Sequence, residues 1–153
     1  MSKENEINTG DKKQAVKFRI RFDYQGRPKP AKFFLGGRNS ESVAEDVREQ
    51  QMAMWRNIPI QGVKIENIDM GEVYTVNDEE ADGEIAFAPM ELLVTADNVE
   101  GLVRFIVREE FRRIEILEPE MIEMDKQVLE KLFFKMNEEM KTQMYLKAKK
   151  YRD

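Results

Sequence analysis

The chain has 153 residues, 41% of them apolar and 36% charged, with a formal net charge of −5. That is the length of one domain, able to bury roughly 70% of the surface its unfolded form exposes. It contains no cysteine and no histidine, which excludes disulfides, thiolate nucleophiles, sulfur-ligated zinc and every triad activated by an imidazole.

Catalysis would have to rest on carboxylate or lysine chemistry, or on oxygen-ligated Mg2+ or Ca2+. Neither an enzymatic activity nor a cofactor is expected. The longest apolar runs, at residues 86–90 and 92–95, fall far short of the ~20 residues of a membrane span, and residues 1–14 lack the apolar stretch of a signal peptide. A cytoplasmic protein without a membrane partner is the consistent expectation. Charge is divided along the chain: residues 1–38 hold 10 basic against 4 acidic side chains, residues 39–100 hold 3 against 15, and residues 101–153 hold 12 against 11. The acidic middle either neutralises the basic first segment within one fold or leaves it as a binding face.

Residues 1–13 read as a disordered tail and 14–153 as one α+β domain. Val16, Phe18, Ile20, Phe22 and Tyr24 alternate with Lys17, Arg19, Arg21 and Asp23, the period of a strand with one buried and one basic face. A Gly/Pro-rich loop follows, and Ala31 to Leu35 forms a short additional strand or an extended loop. Gly36 and Gly37 precede a helix. They suit a plain turn, or a phosphate cradle beside Arg38. Ser42 with Glu45 has the form of a capping box, and Val43, Val47, Met54 and Ile58 recur at helical spacing, with the helix ending near Asn57 because Pro59 disfavours a helical Ile58. Trp55 reads as a core or rim residue.

Val63, Ile65, Ile68, Met70, Val73 and Val76 form a strand whose alternation slips near Asn67 and around Gly71, as a β-bulge would make it. Residues 77–83 make an acidic turn without the ligand order of a calcium loop. The next strand, 84–95, changes phase at Pro89 between Ile85/Phe87 and Met90/Leu92/Val94, which implies a kink or a sheet edge. Asp97 with Glu100 opens a helix reaching Glu109, with Val99, Leu102, Val103 and Ile106 as its apolar stripe. Residues 111–117 form a short strand. Pro119 suits the first turn of a long C-terminal helix, about 120–149, along which Leu129, Leu132, Phe133, Met136, Met140 and Met144 recur at three and four residues. That stripe packs on the core or serves a homo-oligomer or protein partner.

The order βαββαβ, followed by the long helix, is that of a ferredoxin-like sandwich. The run Asn98-Val99-Glu100-Gly101-Leu102-Val103-Arg104-Phe105-Ile106, then Ile114 to Ile122 with its Leu117-Glu118-Pro119 turn, then the helix, resembles the C-terminal extension of WYL-domain transcriptional regulators over residues 84–145. The resemblance implies a detached regulatory or oligomerisation module and no specific ligand residues. Two functions are therefore expected to compete. One is a non-catalytic regulatory or interaction module self-associating through Leu129 to Met144. The other is nucleic-acid binding, with Lys17, Arg19, Arg21, Arg27, Lys29, Lys32 and Arg38 on phosphates and Tyr24, Phe33 or Phe34 stacking on bases.

Overall fold

The computed structural model describes residues 14–28, 39–79 and 83–152. The possible strand at 31–35, the glycine pair at 36–37 and the proposed tail at 1–13 lie outside them. Strand β1 (Val16–Gly26) leads to helix α1 (Ser40–Asn57), then to β2 (Val63–Met70), β3 (Tyr74–Asp78) and β4 (Gly83–Ala96). Helix α2 combines a 3-10 turn (Val99–Leu102) with one α-helical turn (Val103–Ile106); β5 (Phe111–Glu118) and helix α3 (Lys126–Arg152) follow. The sheet order is β2-β4-β1-β5 with β3 also on β4, and every pairing is antiparallel. This α+β architecture is consistent with a ferredoxin-like sandwich.

The alternation of β1 decides the layers. Val16, Phe18, Ile20, Phe22 and Tyr24 are buried on one face, where β4 sets Ala96, Val94, Leu92, Met90 and Ala88 opposite them. Trp55 of α1 enters this layer between two rings, stacked nearly parallel to both, 5.8 Å from Phe22 and 4.8 Å from Phe105. Its indole Nε1 donates to the Tyr24 hydroxyl at 3.3 Å, and the Arg108 guanidinium lies 4.6 Å from its ring. Aromatic pairs of this kind add about 0.5–1.5 kcal/mol beyond the area they bury. At the other end Gly26, Ala86 and Ala88 are small so that α1 can approach: a Cβ on Gly26 would stand 2.2 Å from the Ala44 nitrogen.

Five expectations are corrected. The C-terminal helix begins at Lys126 rather than near 120, because Asp125 caps it by accepting from the Val128 N–H at 2.8 Å. Pro119 follows a cis peptide bond outside the helix. The α1 cap is Asn39, whose side chain accepts from Ser42 N, and the α2 cap is Asn98, which accepts from Glu100 N; the first lies three residues before Ser42 and the second one residue after Asp97, the cap positions read from sequence. The helix at 97–109 is two short turns, since Phe111 already belongs to β5.

The fifth correction concerns β4, which is neither an edge nor out of phase. Its core positions run Ala86, Ala88, Met90, Leu92, Val94, Ala96, in unbroken register with β1, and the larger Ile85 and Phe87 occupy the opposite face. The phase change is an artefact of small alanines holding the core positions. On the β2/β3 side the slips fall where the spacing puts them: Glu66 is the extra residue between Ile65 and Asn67, and the ladder is interrupted at 71–73 opposite Pro89. There Gly71 N donates to Pro89 O, and Arg48 of α1 donates to the carbonyls of both Gly71 (2.7 Å) and Pro89 (3.0 Å). One guanidinium thus bridges two carbonyls at the break in the ladder.

Candidate interaction surfaces

The polar side of β1 lies on the sheet face opposite α1 and α2. Arg19 reaches Glu91 of β4 (Nε to Oε1, 3.1 Å) and Glu115 of β5 (3.7 Å). Arg21 holds Asp23 through Nε at 2.8 Å and Nη2 at 3.2 Å. Arg27 stands 3.9 Å from Asp78, and half-exposed Lys17 lies opposite Thr95 and Glu118. Lys29, Lys32 and Arg38, with Phe33 and Phe34, fall outside the described residues. Tyr24 is turned into the core, so it is not a stacking platform for this face. Antiparallel neighbours thus set acidic side chains beside the arginines of β1, which makes the described part of this face mixed in charge.

Asp23 is the centre of this face and was not singled out by spacing. It is 3% exposed, takes both bonds from Arg21, accepts the Tyr74 hydroxyl and lies 3.4 Å from Arg112 Nε. A register shift between Arg21 and Phe22 leaves Arg112 as the extra residue of β5, and this bulge directs it over the Phe87 ring, which stacks on Tyr74. Burial works against the charge of Asp23, but the hydrogen bonds from Arg21 and Tyr74 and the charges of Arg21 and Arg112 outweigh it. Its carboxyl is held below the ordinary carboxylate value. Burial, then donation to Asp23, pushes the Tyr74 phenol up. An ionised carboxylate engaged on this many sides is suited to fixing β1, β3 and β5 together, not to passing protons.

Of the carboxylates open to catalysis, Asp69 and Glu91 are cross-strand partners and share with Glu72 a shallow hollow of about 370 Å³ that Arg21 and Tyr74 also line. Glu84 lies apart, opposite Asn77 at the hairpin end. Among the described residues no group of three or more acidic side chains is arranged to hold a metal ion, and no helix is long and apolar enough to cross a membrane.

The second surface is α3. It spans 27 residues, about 40 Å at 1.5 Å per residue, and lies against α2. Val128, Leu132, Lys135, Met136, Glu139 and Gln143 are half-buried, and their three- and four-residue spacing marks the line along which α3 meets the body. Turned away from that line by roughly a quarter of the helix circumference is a second apolar row, Leu129, Phe133, Met140 and Met144. Phe133, Met140 and Met144 are 58%, 51% and 69% exposed. The six-residue stripe read from sequence therefore divides: Leu132 and Met136 face the body, and Leu129, Phe133, Met140 and Met144 face outward. Phe134 and Tyr145 are also exposed. Comparison with known proteins gives no matching family model, curated protein or solved structure.

Proposed function

We propose that this protein is a non-catalytic regulatory or protein-interaction module that works through the outward face of α3. The observation that carries the reading is the row Leu129, Phe133, Met140 and Met144, exposed along one helix. A contiguous exposed apolar row on a soluble domain marks an interaction site, and methionine gives such a surface side chains that repack against a partner. Phe133 supplies the rigid anchor that hot spots favour. The resemblance of residues 84–145 to a regulatory extension points the same way.

Nucleic-acid binding by Lys17, Arg19, Arg21 and Arg27 is the weaker reading, because Arg19 and Arg21 are engaged by Glu91, Glu115 and Asp23. A phosphate would have to displace those carboxylates. Light scattering on the full chain tests the main reading. The unaltered protein is expected above its 18.1 kDa monomer mass, and a variant with Phe133, Met140 and Met144 all changed to Ser at that mass with its unfolding transition intact. A strict monomer, equally soluble with and without the three substitutions, would overturn it.

A further inference from the structure

We infer that the occupant of the α3 surface is a second copy of this chain, laid antiparallel along the same helix about a two-fold axis near Asn137. The inference rests on the interaction reading above and names its partner and geometry. Two observations carry it.

The first is the spacing of the outward row. Leu129 and Met144 lie equally far from the Met136/Asn137 midpoint, and so do Phe133 and Met140. An isologous contact places each residue of one copy against its mirror position on the other, so Leu129 meets Met144 of the second copy and Phe133 meets Met140. Each exposed apolar side chain of the row is then covered by another.

The second is charge, which decides between the two directions. Residues 118–125 contribute Glu118, Glu120, Glu123 and Asp125 and no basic side chain, and residues 140–150 contribute Lys141, Lys147, Lys149 and Lys150 and no acidic one. Parallel pairing would stack lysines on lysines at one end and carboxylates on carboxylates at the other. Antiparallel pairing sets the basic end of each copy near the acidic residues that precede α3 in the other, at both ends. Complementary potentials of this kind fix orientation and suppress the wrong register. Within each copy Lys147 stays on Glu109, 3.3 Å away, while Met144, one turn before it, remains 69% exposed.

The absence of native cysteine makes the geometry directly readable, since any introduced thiol is the only one in the chain. Three single variants, Leu129→Cys, Asn137→Cys and Met144→Cys, are treated with a short bis-maleimide alone and in pairwise mixtures, with light scattering on the same samples. In the antiparallel pair Asn137→Cys links to itself. Leu129→Cys links to Met144→Cys but not to itself, because the two Leu129 positions then lie about 22 Å apart, fifteen residues of helix rise. Self-linking of both Leu129→Cys and Met144→Cys would overturn the antiparallel geometry and leave the α3 interface standing. A dimer that no pair links would overturn the interface as well, and a strict monomer would overturn the self-association on which both depend.

Discussion

Two regions of this protein carry a regular apolar pattern, of strand period in one and helical period in the other, and meet opposite fates. Around Phe22, Trp55 and Phe105 each ring faces another ring and the side chains are buried; along Leu129, Phe133, Met140 and Met144 the side chains face outward. The difference lies in what each element is laid against. β1 pairs with β4 and β5 and has two helices across its apolar face, whereas α3 meets the body on α2 and through Lys147 on Glu109 and keeps a second apolar row exposed. Periodicity identifies a face that wants cover; only topology tells whether the chain itself supplies it.

That comparison is broken most severely from the buried side. Trp55→Ala removes the ring between Phe22 and Phe105 and the donor to Tyr24, and should cost about 3–5 kcal/mol, read as a lower midpoint in chemical denaturation. Gly26→Ala sets a methyl group 2.2 Å from the Ala44 nitrogen and 2.4 Å from the Ser40 carbonyl oxygen. Both neighbours are backbone and cannot step aside, so the loss should fall at the upper end of about 1–3 kcal/mol, with α1 displaced from the sheet end in the amide spectrum.

The Asp23 cluster is intermediate, its carboxylate buried and its arginine partners partly wet. Asp23→Ala leaves Arg21, Arg112 and Tyr74 without their shared acceptor and should cost about 1–3 kcal/mol. Because the folded carboxyl titrates below its unfolded value of about 4, its contribution is complete above that value and is lost as the pH falls through the lower folded one. Stability measured from neutral pH into acid should therefore fall less steeply in Asp23→Ala than in the unaltered chain. The smallest effect on folding belongs to the outward row: measured at concentrations where the chain is monomeric, Phe133→Ser with Met144→Ser should change the unfolding free energy by no more than about 0.5 kcal/mol.

Much of the architecture was legible in local pattern. The alternation of β1, the bulge at Glu66 and the break near Gly71 were all written in side-chain order, and the βαββαβ sequence of elements followed. The phase of β4 was not, because Ala86 and Ala88 hold core positions with side chains too small to register as apolar peaks, while Ile85 and Phe87 face the other way. The Asp23 cluster was equally hidden: Arg21 and Asp23 are adjacent on one strand face, but Tyr74 and Arg112 arrive from strands far along the chain, one of them through a bulge. In α3 the stripe was visible as a whole, and its division into a body-facing line through Leu132 and Met136 and an outward row needed the position of α2.

Sedimentation velocity across the soluble concentration range, on the unaltered chain beside Phe133→Glu/Met140→Glu, tests the role of the outward row most directly. The account predicts a sedimentation coefficient that rises with concentration for the unaltered protein and stays at the monomer value for the variant, with unfolding unchanged between them at concentrations where both are monomeric. An unaltered protein that remains monomeric throughout, or a variant that associates just as strongly, would contradict it.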